Sequence, residues 1–241
     1  MESVTIKEKV TVLMPVYNGA LYLREAIDSI LNQSYSDFEF LIINDGSIDK
    51  SVEIINSYHD TRINLVSNEI NKGLIYSLNR GLEIACGKYI ARMDCDDISM
   101  PDRLAKQVDL MENSPEIGVC GSWIEYFVGC QSLLKLPITD KKIRRTMIFR
   151  NPMAHPTVMM RSSVLKKNKL YYDPSYHYVE DYELWTRLAH YTQFYNIPEA
   201  LLKYRIHSEQ VSTQNATKQK KMLKKIRTKL IWSLLFQRKT W

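Results

Sequence analysis

Three carboxylates fall within four residues at Asp94-Cys95-Asp96-Asp97, directly after the apolar run 89–93. Like charges crowded at the end of a buried strand repel unless a cation offsets them. Oxygen donors suit Mg²⁺ or Mn²⁺, ions that keep waters and share substrate phosphates. The same residues also read as a solvated loop in which Asp97 or Ser99 caps the next helix. Asp45, in Asn44-Asp45-Gly46-Ser47, is either a turn residue or a ligand-binding carboxylate. Tyr17, two residues beyond Pro15, offers a flat ring for a nucleobase or is a half-buried loop aromatic. Glu180-Asp181 opens a helical stretch, where acids complement the helix dipole. A carboxylate there can also take the proton of an attacking hydroxyl. Arg205 and His207 suit diphosphate oxygens, and His155 is more simply structural.

The elements that must position these groups are legible as alternating periods. Residues 10–14 form a β-branched run stopped by Pro15, and apolar residues from Leu21 to Leu31 recur at three- and four-residue spacing. Strands follow at 38–43, 63–66 and 89–93, with helices at 50–58 and 74–85 between them. Three strand-helix-strand units predict a parallel sheet with helices on both faces, and ligands of such sheets lie beyond the carboxyl ends of the strands. Pro15-Val16-Tyr17-Asn18, Asp45-Gly46-Ser47, Asn71-Lys72-Gly73 and the acidic cluster all fall on that edge. A helix from Pro101 to about Glu112 and a strand near 119–127 come next, after which the alternation is lost until a helix at 180–190.

The chain of 241 residues carries a net charge of +6, yet from Ala216 onward it holds nine basic residues and no acid, so residues 1–215 carry −3. A mildly acidic globular part excludes a nucleic-acid partner in this reading. The charged start of the chain lacks the apolar core of a secretory signal, and no stretch is long enough to span a membrane. Cys86, Cys95, Cys120 and Cys130 show no metal-finger spacing, which fits a reducing cytoplasmic setting.

Taken in order, Val12-Leu13-Met14-Pro15-Val16-Tyr17-Asn18-Gly19, Asn44-Asp45-Gly46-Ser47, Asn71-Lys72-Gly73-Leu74, Ala91-Arg92-Met93-Asp94-Cys95-Asp96-Asp97 and Val179-Glu180-Asp181-Tyr182-Glu183-Leu184-Trp185 resemble the motifs of glycosyltransferase family 2, of GT-A type, and the likeness runs to about Ser212. Cys95 and Ile48 depart from the usual pattern without removing a chemical group. The resemblance implies a Rossmann-like, mostly parallel α/β sheet, with a nucleotide-sugar-binding half at 1–120 and a smaller half at 121–213 for the acceptor and base. It implies inverting transfer of a hexose or N-acetylhexosamine from a UDP-sugar to a saccharide acceptor. Pro15, Tyr17 and Asp45 would then hold the nucleoside, Asp94 the ribose or the metal shell, and Arg205 the diphosphate. Asp96, with Asp94 and His207, would hold Mn²⁺ or Mg²⁺, and Asp181 would be the general base.

In the tail, residues 214–241, Met222, Ile226, Leu230 and Leu234 recur at i, i+4 with Trp232 nearby and lysines on the other face. This amphipathic helix is expected to lie on an anionic membrane surface, at the inner face of the cell membrane, beside a polyisoprenyl-diphosphate-linked acceptor. The alternative is that its stripe packs on the domain or on a partner chain. Rival functions are a sugar-nucleotide nucleotidyltransferase, for which the loop 15–20 has few glycines, and a non-catalytic carbohydrate-binding or membrane-docking module.

Overall fold

The computed structural model describes residues 9–128, 131–207 and 215–236. Cys130, Arg238 and Lys239 lie outside them. Alternation with period two sorts the side chains of the first strand, β1 (Val10–Val16), onto two faces. Val10, Val12, Met14 and Val16 enter one core, and Leu13 enters the other. The second strand, β2 (Phe38–Asn44), divides in the same way, with Phe40 and Ile42 opposite Leu41 and Ile43. On the first face pack α1 (Leu23–Leu31), α2 (Ser51–Asn56) and α4 (Arg103–Asn113), through Leu23, Ile27, Ile55, Leu104 and Met111. On the second lie α3 (Leu74–Ile84), α5 (Asp140–Met147), α6 (Ser162–Asn168) and α7 (Glu180–Leu188), through Leu78, Met147, Leu165 and Trp185.

β3 (Ile63–Ser67), β2, β1 and β4 (Tyr89–Arg92) form a parallel run, as the three strand-helix-strand units require. Beyond β4 the sheet continues through β8 (Met159–Arg161), antiparallel to both β4 and β6 (Ile117–Phe127). β9 (Gln193–Arg205) runs parallel to β6, and the two-residue β5 (Ile98–Ser99) closes the order. The short β7 (Ser132–Leu134) pairs with β6. One sheet of nine strands therefore carries residues from both sides of position 120.

β1 does not stop at Pro15 but runs through it to Val16, with Pro15 opposite Ile43 of β2. The carbonyl of Leu13 faces β4 and accepts from Met93, so position 15 faces the same side. The β1–β4 pairing ends at Leu13 and Arg92, so the N–H that proline lacks has no ladder partner to lose.

The basic tail is helical as α8 (Ala216–Phe236). The first part of its stripe is covered by the protein itself: Ile226 is 2% and Leu230 4% exposed, with Met222 and Leu223 packed beside them on the α7 face. This corrects the expectation that the whole stripe faces lipid, since burying it on the domain satisfies the same apolar side chains. Gln219 donates to the Tyr178 carbonyl (3.0 Å), and Lys225 lies over the Tyr176 ring (4.6 Å). Ile231 and Trp232, the latter 58% exposed, remain at the surface. No helix among the described residues is long and apolar enough to cross a membrane.

Candidate active site

The loops after β1 to β4 meet at the carboxyl edge of the parallel strands. Asp45 follows β2 and is 3% exposed. Its Oδ1 accepts from the Asn68 side chain (2.6 Å) and the Lys72 amide (3.0 Å), and its Oδ2 from the Gly73 amide (2.8 Å). A carboxylate offers about four acceptor positions, so three are used in shaping the loop and one, on Oδ2, remains. Gly46, at φ +69°, lets the chain turn there; an added Cβ would meet the Ile70 carbonyl carbon at 2.5 Å. Tyr17 is 47% exposed on the neighbouring loop, while Pro15 is buried in β1. Asn18 and Ser47 join the two loops, the Asn18 amide donating to the Ser47 hydroxyl at 3.0 Å and Asn18 Oδ1 accepting from the Ile48 amide at 2.9 Å.

After β4 comes the acidic cluster. Ligand atoms of Asp94, Asp96 and Asp97 all lie within 4.8 Å of one another. Both oxygens of Asp94 are taken by the guanidinium of Arg92, whose side chain is 3% exposed. Asp96 Oδ2 lies 2.9 Å from Nε2 of His207, and the His207 ring is 5.1 Å from that of Tyr22. Asp97 was expected as a helix cap, but α4 begins only at Arg103, behind Asp102. Asp97 is instead 1% exposed; its Oδ1 accepts from the Arg205 amide at 2.9 Å, and its Oδ2 has no hydrogen-bond partner. Burial, with Asp94 and Asp96 nearby, holds its carboxyl well above the usual range. Burial also raises Asp94, helped by the charges of Asp96 and Asp181 and opposed by Arg92.

A buried carboxylate oxygen without a donor, set among two other carboxylates and an imidazole, is a donor set that fits a divalent cation of the Mg²⁺ or Mn²⁺ kind. Asp96 and Asp97 have oxygens to give it, whereas Asp94 is already forked by Arg92. Arg205, expected at the diphosphate, is held by neighbours within the chain. Its guanidinium donates to the Asp96 carbonyl (2.8 Å) and to Glu25 (2.8 Å), and lies over the rings of Tyr22 (4.3 Å) and Phe127 (4.6 Å), which makes it a staple behind the cluster.

From the other side, α7 brings Asp181 to the cluster at its first turn. Asp181 Oδ2 accepts from the Asn151 side chain (2.6 Å), and its Oδ1 from the Tyr182 amide (2.7 Å). Burial raises its carboxyl, and these two donors and Arg92 pull it back. Glu180, 7% exposed, is pushed up to about 7 by burial and the charge of Asp181. Tyr178, two residues before Glu180, has φ 71°, a strained backbone ahead of the acidic pair. His155 is half-buried, its ring 6.0 Å from that of Trp185 and its Nε2 2.9 Å from the Tyr172 hydroxyl.

The arrangement thus joins Asp94, Asp96, Asp97 and His207 in one cluster, with Asp181 within electrostatic range of Asp94 and with Asp45 and Tyr17 on the loops after β2 and β1. Arg92, Asn68 and Asn151 are members that motif reading passed over. Arg92 carried a signal, a lone charge inside the apolar run Tyr89-Ile90-Ala91-Arg92-Met93; Asn68 and Asn151 carried none.

A mostly parallel sheet with a carboxylate cluster at its carboxyl edge is the architecture of the GT-A fold. The family model described as glycosyl transferase family 2 matches residues 11–168, and the chain belongs to that family. An uncharacterized glycosyltransferase of Haemophilus influenzae is 38% identical over 231 residues, covering 90% of this chain and 72% of the relative. The O-antigen biosynthesis glycosyltransferase WbnJ of Escherichia coli is 36% identical over 222 residues, covering 89% and 85%. Among solved structures, S. aureus TarS 1-349 in complex with UDP-GlcNAc superposes with a TM-score of 0.77 at 18% identity, over 90% of this chain and 65% of that one. The mannosyltransferase PcManGT of Pyrobaculum calidifontis, in complex with GDP-Man and Mn2+, gives 0.67 at 17% identity, over 97% and 72%. These structures share the GT-A fold with this chain.

Proposed function

We propose that this chain transfers a hexose or N-acetylhexosamine from a UDP-sugar to a saccharide acceptor with inversion, in the synthesis of a surface polysaccharide. The observation that carries the reading is the acidic cluster after β4, in which ligand atoms of Asp94, Asp96 and Asp97 lie within 4.8 Å of one another and Asp96 Oδ2 is 2.9 Å from His207 Nε2. Asp45 keeps one acceptor position on Oδ2 for a base N–H, and the exposed ring of Tyr17 offers a face for stacking. Asp96, Asp97 and His207 are the residues that would hold Mn²⁺ or Mg²⁺, which supplies neutralisation of the charge left on the departing nucleoside diphosphate. Asp181 takes the proton of the acceptor hydroxyl, and a single base opposite the leaving group gives inversion. The names of WbnJ and of the amylovoran biosynthesis glycosyltransferase AmsE of Erwinia amylovora, 32% identical over 214 residues, support a polysaccharide product.

The test is a panel of nucleotide-sugars, with and without chelator, scored by released nucleoside diphosphate. One UDP-sugar should turn over, and chelator should abolish it; turnover unchanged in chelator overturns the metal assignment. Asp181→Asn should remove turnover while UDP affinity stays. A lipid-linked, polyisoprenyl-diphosphate acceptor and a peripheral position at the inner face of the membrane are supported by exposed Ile231 and Trp232 beside Lys221, Lys224 and Lys225. Trp232→Ala should reduce co-sedimentation with anionic vesicles and leave thermal stability unchanged. Equal vesicle binding by both proteins overturns the docking surface.

A further inference from the structure

The loop that follows α5 is pinned at both ends by the elements that carry the site. At its start the Met147 carbonyl accepts from the hydroxyl of Tyr182, the residue next to Asp181 on α7. Further on, the Pro152 carbonyl accepts from the Asn196 side chain of β9 at 3.0 Å, and Pro152 and Met153 are buried. Asn151 sits between these anchors. Its Oδ1 accepts from the Met153 amide (3.3 Å), so its Nδ2 must be the atom 2.6 Å from Asp181 Oδ2. The orientation of this amide is therefore fixed by the loop's own backbone: flipped, it would set N–H against N–H at Met153 and oxygen against oxygen at Asp181.

We propose that Asn151 is the positioning residue of the acceptor-activating step, its side-chain amide holding the Asp181 carboxylate in the orientation from which it takes the acceptor proton. The inference rests on the reading of Asp181 as the base. With Oδ1 tied to its own helix turn at Tyr182 and Oδ2 to Asn151, the carboxylate cannot rotate, yet each oxygen keeps a lone pair for an incoming hydroxyl. A base must also be ionised when the acceptor arrives. Asp181 is half-buried with Glu180 as its sequence neighbour and Asp94 within electrostatic range, and the Asn151 amide, with the Tyr182 amide and the charge of Arg92, favours its charged form. Asn151 touches neither the donor-side loops nor the acidic cluster through any hydrogen bond described, so its removal should spare donor binding.

The experiment compares Asn151→Ala, Asn151→Asp and Asn151→Gln with the full-length wild-type enzyme. It reads UDP release from the fastest donor of the panel across pH 5–9, UDP binding with Mn²⁺ by calorimetry, and melting temperature. Asn151→Ala should lower kcat by about ten- to a hundredfold, below the full range of a general base, and move the acidic limb of the profile to higher pH. Asn151→Asp should move it further, because a second carboxylate beside Asp181 disfavours its ionisation. Asn151→Gln should recover part of the rate. UDP affinity should stay within about twofold, less than 0.5 kcal/mol. An unmoved acidic limb, even with a slower or less stable enzyme, makes Asn151 merely structural and overturns the proposal. An Asp181→Asn enzyme with wild-type turnover overturns the base reading itself. A dead Asp181→Asn beside an unaffected Asn151→Ala overturns this proposal alone.

Discussion

The two ends of the site are built from the same side chain in opposite circumstances. At the end after β2, proposed to hold the nucleoside, Asp45 is buried and accepts from three donors that its own fold provides. At the acidic end, Asp97 is equally buried, has two carboxylates beside it, and leaves one oxygen without a donor. The first carboxylate contributes to stability; the second costs it. A prebuilt pocket suits a group that binds unchanged, whereas stored repulsion suits a site whose task is to meet cationic charge and a leaving group.

The largest test of this contrast is kinetic. Asp96→Asn should lower turnover on the order of 10³-fold, equivalent to about 4 kcal/mol of transition-state stabilisation, with UDP affinity in chelator unchanged. A variant that loses UDP affinity in chelator would join the two ends into one unit and break the comparison. Next comes stability. Asp45→Asn replaces one accepting oxygen by N–H, which faces the Gly73 amide or, flipped, the Asn68 and Lys72 donors, and should cost about 1–3 kcal/mol for each donor left unsatisfied. Denaturant midpoints measure it. The same change at Asp97 should act with the opposite sign. An asparagine keeps the Oδ1 that accepts from Arg205 and removes a charge, and should raise the melting temperature of the metal-free protein by about 2–4 °C. A lowered melting temperature would show that Asp97 is not repelled.

The smallest effect is a slope. Because Glu180 is raised to about 7 in the folded protein, the folded state binds its proton more tightly than the unfolded chain. Stability from this group is full below the ordinary glutamate range and falls as pH rises toward about 7. Glu180→Gln should flatten that part of a melting-temperature profile taken without metal, and an unchanged slope refutes the assignment.

The donor half of the fold was legible because its signals are local. β-branched runs and three- and four-residue spacing mark β1 to β4 and α1 to α3, and the turn residues between them are the site. Asp45, Asp94, Asp96 and Asp181 could thus be found as strand-end or helix-start acids. What the sequence hid depends on contacts far along the chain. β9 contains Pro198 and reads as broken, yet Ile197 pairs with Ser122 and Ala200 with Trp123, so Pro198 and Glu199 form a bulge within a continuous strand. Asp97 looked like a cap because the partner of its Oδ1 is the amide of Arg205, 108 positions away. Arg205 had the right charge for a diphosphate, and its contacts with Glu25 and two aromatic rings are ones that no motif connects to it. The tail was correctly amphipathic, and only tertiary packing shows that Ile226 and Leu230 cover the α7 face.

β8, three residues long, is paired to β4 on one side and β6 on the other. It stitches the strand that ends at the acidic cluster to the strands of the later half, so one sheet joins the two parts of the chain. For protein engineering this sets where a graft can be cut. Chimeras that exchange the loop 148–154 or the segment 128–139 with a relative leave that seam intact, whereas a crossover inside 159–161 divides it.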